Sequence, residues 1–466
     1  MHAEIKSEEL KIAYIGGGSR GWAWGLMSDL CSEPRLTGVV RLYDIDRAAA
    51  EDNVVIGNKH SAHPDALSRW SYEAVHSLSD ALRGADFVVI SIMPGTLDEM
   101  ASDVHTPEKY GIYHSVGDTV GPGGIVRSLR TIPMYVEFAE AIRAYCPNAW
   151  VINYTNPMTV CVRTLSAVFP EVKVFGCCHE VFGTQDTLAL MIKEKFGVES
   201  VKRQEIRCNV LGINHFTWFN EASWQGHDLM PMYREFAEKY ADGFYGHNKN
   251  DPEAWKVNHT GMASRVKLDL TRRFGMIASA GDRHMAEFCP RAWYMKDLAT
   301  VAHWKFQLTS VAVRREIDTK RIAKSRRLLS GEDPIKLHLT GEEGVHQIAA
   351  LMGLEELFTN VNVPNVGQMS GFPLGAVVET NAMFRGDSVR PISAGTLPEA
   401  LNGMLLHHVK NQETTVRAGI TRDAHLAFQA FVTDPLVTGL SLGEAESLFS
   451  EMLKNTRKYL PGWKLE

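Results

Sequence analysis

The sequence predicts an α/β protein: a doubly wound parallel sheet followed by a C-terminal α+β half. Three observations carry that expectation. A glycine loop follows the first apolar run directly, an aspartate closes the second run, and further short apolar runs alternate with helical patterns. From Lys11 the chain reads Lys-Ile-Ala-Tyr-Ile-Gly-Gly-Gly-Ser-Arg-Gly, which sets Gly16, Gly18 and Gly21 in G-x-G-x-x-G spacing. Glycines there let the backbone turn tightly and approach a pyrophosphate at the next helix's N-terminus, with Gly17, Ser19 and Arg20 completing the loop. The run Val39–Tyr43 ends in Asp44, which can accept from both ribose hydroxyls and repels a 2′-phosphate, favouring NAD over NADP.

The runs Lys11–Ile15, Val39–Tyr43, Phe87–Ile92, Trp150–Tyr154 and Val172–Gly176 read as buried parallel strands, and Val126–Ala144 as the clearest intervening helix. This is a Rossmann-type order, assigned to residues 1–200. Beyond it, Ile206–Asn214 and Phe216–Trp224 read as an antiparallel pair, Trp255–Phe274 and Glu343–Phe358 as helices, and Val361–Phe384 as strand-like. Residues 201–466 are expected to form the α+β catalytic and oligomerisation domain.

The 466 residues, 45% hydrophobic and 22% charged, suit an ordinary globular protein of two or three domains. A net charge of -6 argues against a nucleic-acid partner, and no apolar run reaches the ~18 residues of a membrane span. Seven cysteines, with Cys177 and Cys178 adjacent, do not form a disulfide framework, and a reduced cytoplasmic setting is expected.

Four clusters carry candidate chemistry, each with a plain structural reading beside it. Val116 to Gly124 is a glycine-dense loop whose amides could meet an anion or sugar, with Asp118 as its polar contact. Asn153-Tyr154-Thr155-Asn156-Pro157-Met158 ends a strand; Asn156 before proline is held out of the helical region, and the bond is a candidate for cis. Its amide would then point into the crevice. Cys177-Cys178-His179-Glu180 brings thiol and imidazole to another strand end, where borderline metals bind, and His215 offers a second ligand. In Gly281 to Pro290, Asp282, His284 and Glu287 offer acid-base groups, and Arg283 could clamp a carboxylate.

Together these clusters resemble glycoside hydrolase family 4, the NAD- and manganese-dependent glycosidases, over nearly the whole chain. The motifs are Gly-Gly-Gly-Ser at Gly16, Gly-Asp-Thr-Val-Gly-Pro-Gly-Gly-Ile at Gly117, Thr-Asn-Pro-Met at Thr155, Cys-His at Cys178 and Asn-His at Asn214. The resemblance implies a lactate/malate dehydrogenase-like fold, a homodimer or homotetramer, and a short oligosaccharide substrate. Cys178-His179-Glu180-Val181 is similar to the variant of α-galacturonidase members, so a pectin-derived α-galacturonide is implied, with Glu180 on a sugar hydroxyl. α-Glucuronidase and α-galactosidase activities are the alternatives within the family.

The mechanism implied by the resemblance is transient oxidation at C3 by NAD+, deprotonation at C2, elimination of the glycosidic oxygen, water addition and re-reduction. It places Cys178 and His215 on Mn2+, with Fe2+, Co2+ or Ni2+ also suited to the pair. Asn156 lies near C3, Asp282 is the C2 base, and His179 sits at the acid's position. Arg283 is preferred over Arg20, Arg127, Arg130 and Arg273 for the substrate carboxylate. Outside the family, an NAD-dependent hydroxy-acid or sugar dehydrogenase is the rival; it would accumulate NADH in proportion to product.

Overall fold

Short, doubly buried strands flanked by turns set the framework. In the computed structural model, which describes residues 9–246, 251, 253–256 and 258–464, six of them form a parallel sheet. They are β1 (Glu9–Ile15), β2 (Thr37–Tyr43), β3 (Trp70–Ala74), β4 (Phe87–Ile90), β5 (Trp150–Asn153) and β6 (Lys173–Gly176), in the order β3-β2-β1-β4-β5-β6. That order is the doubly wound one, with its reversal between β1 and β4. The strand β3 is not among the runs read from the sequence. Only Trp70 and Tyr72 of it are buried, so it lacks the continuous apolar signature.

Side-chain alternation builds a core on each face of the sheet. Ile12 and Tyr14 pack with Met27 of the helix Trp22–Cys31, Ile56 of Arg47–Ser61 and Ile348 of Gly344–Leu351. Ala13 and Ile15 face the opposite way, towards Tyr135 and Ile142 of the helix Gly121–Tyr145 and Leu165 of Met158–Val168.

A second, antiparallel sheet contains β7 (Arg207–Ile213), β8 (Phe216–Trp224), β9 (His227–Asp228) and β10 (Ile277–Ala278). Then β11 (Leu357–Pro364), β12 (Val377–Phe384) and β13 (Val389–Pro391) return to the first sheet, adding antiparallel beyond β6 to make nine strands. Strands from beyond residue 200 therefore complete the parallel sheet.

Two expected helices are shorter than their sequence patterns. The one expected over Glu343–Phe358 ends at Leu351, because Gly353 takes a left-handed φ of 76° and the chain re-extends into β11. The one expected over Trp255–Phe274 begins only at Arg265; Ser264 before it has a φ of 57°, and residue 257 lies outside the described residues. All seven cysteines are free and buried, and no helix among the described residues is long and apolar enough to cross a membrane.

Candidate active site at the carboxyl edge of the parallel sheet

Loops leaving β1, β4, β5 and β6 meet at the sheet's carboxyl edge, where open α/β sheets bind ligands. After β1, the amides of Gly16 and Gly17 both donate to the Tyr43 carbonyl, and Gly18 donates to Asp44 Oδ2 at 2.8 Å. Gly16 has a φ of 94°, and a Cβ there would lie 2.0 Å from the Ser91 carbonyl oxygen, so only glycine fits. Ser19 closes the turn onto Gly16, and Arg20 stands 3.9 Å from Asp46. The helix that follows has no side-chain cap and no acidic residue in its first turn. Its free amides and positive dipole end suit a phosphate, so the loop fits a dinucleotide.

A Cβ on Gly18 would meet Ala49 Cβ at 2.8 Å and Asp44 Oδ2 at 3.0 Å. Gly18→Ala is therefore expected to displace Asp44 and weaken NAD+ binding by roughly 10- to 100-fold. Fluorescence titration of the cofactor reads this out, and an unchanged affinity would remove Asp44 from the ribose site.

The hairpin between β7 and β8 turns on two residues, Asn214 and His215, and His215 adopts a φ of 66°. Such tight turns require the left-handed region, and the uncommon geometry fixes where the imidazole emerges. One donor atom each from Asp118, His215 and His284 lies within 4.8 Å of the others, a group able to hold a metal ion. Thr119 Oγ1 donates to Asp118 Oδ1 at 2.7 Å, so His215 Nδ1, 3.0 Å from that hydroxyl, must be the donor of its pair. Nε2 of His215 is then left with its lone pair, the usual form of a ligating histidine. Burial, and next the neighbouring His284, push His215 down to about 3, which keeps it neutral. Burial opposes the Asp118 charge, yet His284, His215 and Arg127 outweigh it and hold the carboxyl well below its usual range. One hard oxygen and two imidazole nitrogens suit Mn2+ better than a thiolate does.

The other expected site residues are distributed around this group. Asn156 is joined to Pro157 by a cis bond, as the sequence suggests; its Nδ2 donates to Asp118 Oδ2 at 3.4 Å, and its buried Oδ1 has no partner among the described residues. Glu180 accepts from the Gly281 amide at 3.0 Å and lies 3.6 Å from His284 Nε2. Burial opposes its ionisation, but His284, His215 and the Gly281 amide bring it to about 2. Cys178 is buried and lies outside the three-residue group. Burial, then Glu379 and Glu180, push its thiol well above the usual value, so it would ionise only beside a cation.

His179 also stands apart. It is half exposed, 2.8 Å from Glu342 Oε1, with its ring against Trp22. Asp282 is fully buried; Oδ1 accepts from the Lys267 amide at 3.0 Å, Oδ2 has no partner among the described residues, and burial outweighs the Lys267, Val266 and Arg265 amides and raises it to about 6.

Arg283, expected as a carboxylate clamp, directs Nε and Nη2 into the protein. Nε donates to the Gln307 carbonyl at 3.1 Å, and Nη2 to the Ser115 carbonyl at 2.7 Å and to Thr309 Oγ1. Glu287, from the same helix, accepts from the amides of Val116 at 2.8 Å and Gly117 at 3.0 Å. Both residues tie the glycine-dense loop down and so position Asp118. Sequence reading also overlooks Glu379, a buried acid on β12. It accepts from Asn214 at 3.2 Å and Asn360 at 2.7 Å, and Asn360 in turn donates to the Cys178 carbonyl at 3.1 Å. Its one sequence signal is a charge inside an apolar strand.

A phosphate-ready helix end beside carboxylate and imidazole donors marks an α/β enzyme whose chemistry lies at the sheet edge. The model for the family 4 glycosyl hydrolases matches residues 11–194, and the model for that family's C-terminal domain matches residues 210–437. This chain belongs to that family and is a glycoside hydrolase. An α-galacturonidase of Thermoanaerobacterium saccharolyticum is 57% identical over 466 residues, 100% of this chain and 99% of that protein. The crystal structure of lplD from Bacillus subtilis superposes with a TM-score of 0.90 at 49% identity, covering 96% of this chain and 100% of that one. A 6-phospho-α-glucosidase from gut microorganisms, solved with NAD and Mn2+, shares the fold at a TM-score of 0.80 and 19% identity, covering 98% and 100% of the two chains.

Proposed function

We propose that this chain is an α-galacturonidase that releases galacturonate from short α-linked oligosaccharides, with NAD+ and Mn2+ as cofactors. The observation that carries the substrate class is 57% identity over the full chain to a protein of that activity. The uncapped helix end after the glycine loop supports the dinucleotide site, and the Asp118, His215 and His284 donors support the cation site. When bound, these cofactors supply a reversible hydride acceptor and a Lewis acid for the sugar hydroxyls.

The chain's own residues do the rest. Asn156 offers its unpartnered Oδ1 to a hydroxyl at the reacting side of the sugar. Asp282, raised to about 6 and with Oδ2 unpartnered, can take the C2 proton and return it near neutral pH. Glu180, ionised and held by the Gly281 amide, accepts from a sugar hydroxyl, and His179, half exposed beside Glu342, is the candidate acid for the leaving group. Residues 1–200 carry the dinucleotide loop and 201–466 supply His215, Asp282 and the outer walls of the crevice. Seven free, buried thiols support a reducing compartment.

The test is a panel of p-nitrophenyl α-glycosides and α-1,4-digalacturonate, with NAD+, Mn2+ and thiol each omitted in turn. Galacturonides should be cleaved fastest and only with both cofactors, and NADH should not accumulate. Hydrolysis indifferent to NAD+ removal, or NADH formed in proportion to product, would discard the proposal.

A further inference from the structure

A cavity of about 600 Å³ opens beside Glu180 and Gly281, and its buried wall carries a lysine that no step above uses. Lys267 lies in the first turn of the helix Arg265–Phe274 and is 4% exposed. Its Nζ makes one hydrogen bond among the described residues, to Thr184 Oγ1 at 3.3 Å, and Thr184 donates its own proton to the Ser279 carbonyl. No carboxylate among the described residues forms an ion pair with it. A buried ammonium with two N–H groups unspent costs free energy unless something anionic meets it.

The surroundings select what that is. Glu180, which lines the same cavity, is fixed by the Gly281 amide and leans towards His284, so it does not neutralise the amine. Asp282 directs Oδ1 at the backbone amide of Lys267 instead of its side chain. Asp186, Lys193 and Glu199, two acids and one base, are exposed residues of the cavity lining, where solvent screens their charges. Burial disfavours the Lys267 charge, while Asp282, Glu180 and Asp186 favour it from a distance. The arginine that the sequence suggests for an anion, Arg283, turns Nε and Nη2 to two carbonyls and a hydroxyl.

We infer that Lys267 binds the carboxylate of the sugar being cleaved and thereby selects uronides over neutral hexosides. The inference rests on the galacturonidase reading and adds the residue that reads the acid group. Glu180 lines the cavity and lies 3.6 Å from His284 of the donor group, so a sugar whose hydroxyls meet that group would turn its carboxylate towards the cavity that Lys267 lines. An ammonium serves here as a point charge with rotatable donors, and Thr184 orients it.

The test compares p-nitrophenyl α-D-galacturonide with its methyl ester in the wild-type holoenzyme and in Lys267→Met. The ratio of kcat/KM for acid over ester should fall roughly 100-fold, the scale of one charge-assisted hydrogen bond in a dry site. Isothermal titration of the NAD-loaded protein with free galacturonate should show a parallel loss of affinity. Thr184→Val, which keeps the charge but frees the amine, should lower the ratio by several-fold and serves where Lys267→Met does not fold. An unchanged ratio in a folded variant, with wild type active on the uronide, overturns the role of Lys267. Equal losses on acid and ester do the same. A wild type inactive on the uronide overturns instead the galacturonidase reading beneath it.

Discussion

Replacing His215 with alanine is expected to abolish Mn2+-dependent hydrolysis, by at least about 10³-fold, while leaving NAD+ affinity within a few-fold. The imidazole is the centre of the donor group: Thr119 orients it through Nδ1, His284 stacks on it with ring centroids 3.7 Å apart, and Asp118 shares the Thr119 hydroxyl. Its loss removes a ligand and leaves the Asp118 charge with one fewer partner. Asp118→Asn should act in the same direction, because the carboxylate supplies the anionic oxygen that a hard cation prefers. The glycine loop after β1 belongs to another part of the sheet edge, which is why the dinucleotide should still bind. Mn2+ titration by calorimetry and NAD+ titration by fluorescence, run on the same preparation, separate the two effects. Full activity in His215→Ala would dismiss the cation site. Cys178→Ser then sorts the ligand sets: a loss as deep as that of His215→Ala puts the thiolate on the cation, and a loss below about tenfold leaves the oxygen and imidazole donors as the set.

The second large effect is structural. Arg130 and Asp103 are both fully buried and form two parallel bonds, Nη1 to Oδ1 at 2.9 Å and Nη2 to Oδ2 at 2.5 Å. Arg130 Nε also donates to the Pro94 carbonyl at 2.9 Å, which pins the loop leaving β4 to the helix Gly121–Tyr145. Arg130→Met should strand the Asp103 carboxylate in the interior and cost about 3–5 kcal/mol of stability. The double variant Asp103→Leu with Arg130→Met removes both charges and should recover most of that loss. Denaturant unfolding of the two single variants and the double closes the cycle. A cost below about 1 kcal/mol for Arg130→Met would mean that water reaches the pair.

How much of this was legible beforehand depended on whether the signal was local. Five of the six parallel strands show as apolar runs; in β4, β5 and β6 this is because both faces are covered, while β2 is fully buried on one face only. The sixth, β3, alternates and lies at the sheet's edge, so its pattern is diluted. The region over residues 343–358 carries helical periodicity throughout, but Gly353 in the left-handed region stops the helix before β11. Among the candidate site residues, Gly16, Gly18, Asp44, Asn156 and His215 stand out in the sequence because each is bound to a turn or strand end with a fixed local geometry.

The primary structure alone thus determined the doubly wound sheet, the glycine loop after β1, the restricted Asn156–Pro157 turn and the strand ends that carry the candidate chemistry. These follow from backbone rules spanning a few residues. Only the tertiary structure decided which side chains face one another: that Arg283 Nε and Nη2 hold backbone carbonyls, that His284 joins Asp118 and His215, and that Lys267 is buried without an ion pair among the described residues. Those outcomes depend on contacts between segments up to 168 residues apart, such as Arg283 with Ser115. A side chain's partner across such a distance is set by packing, and no local pattern encodes it.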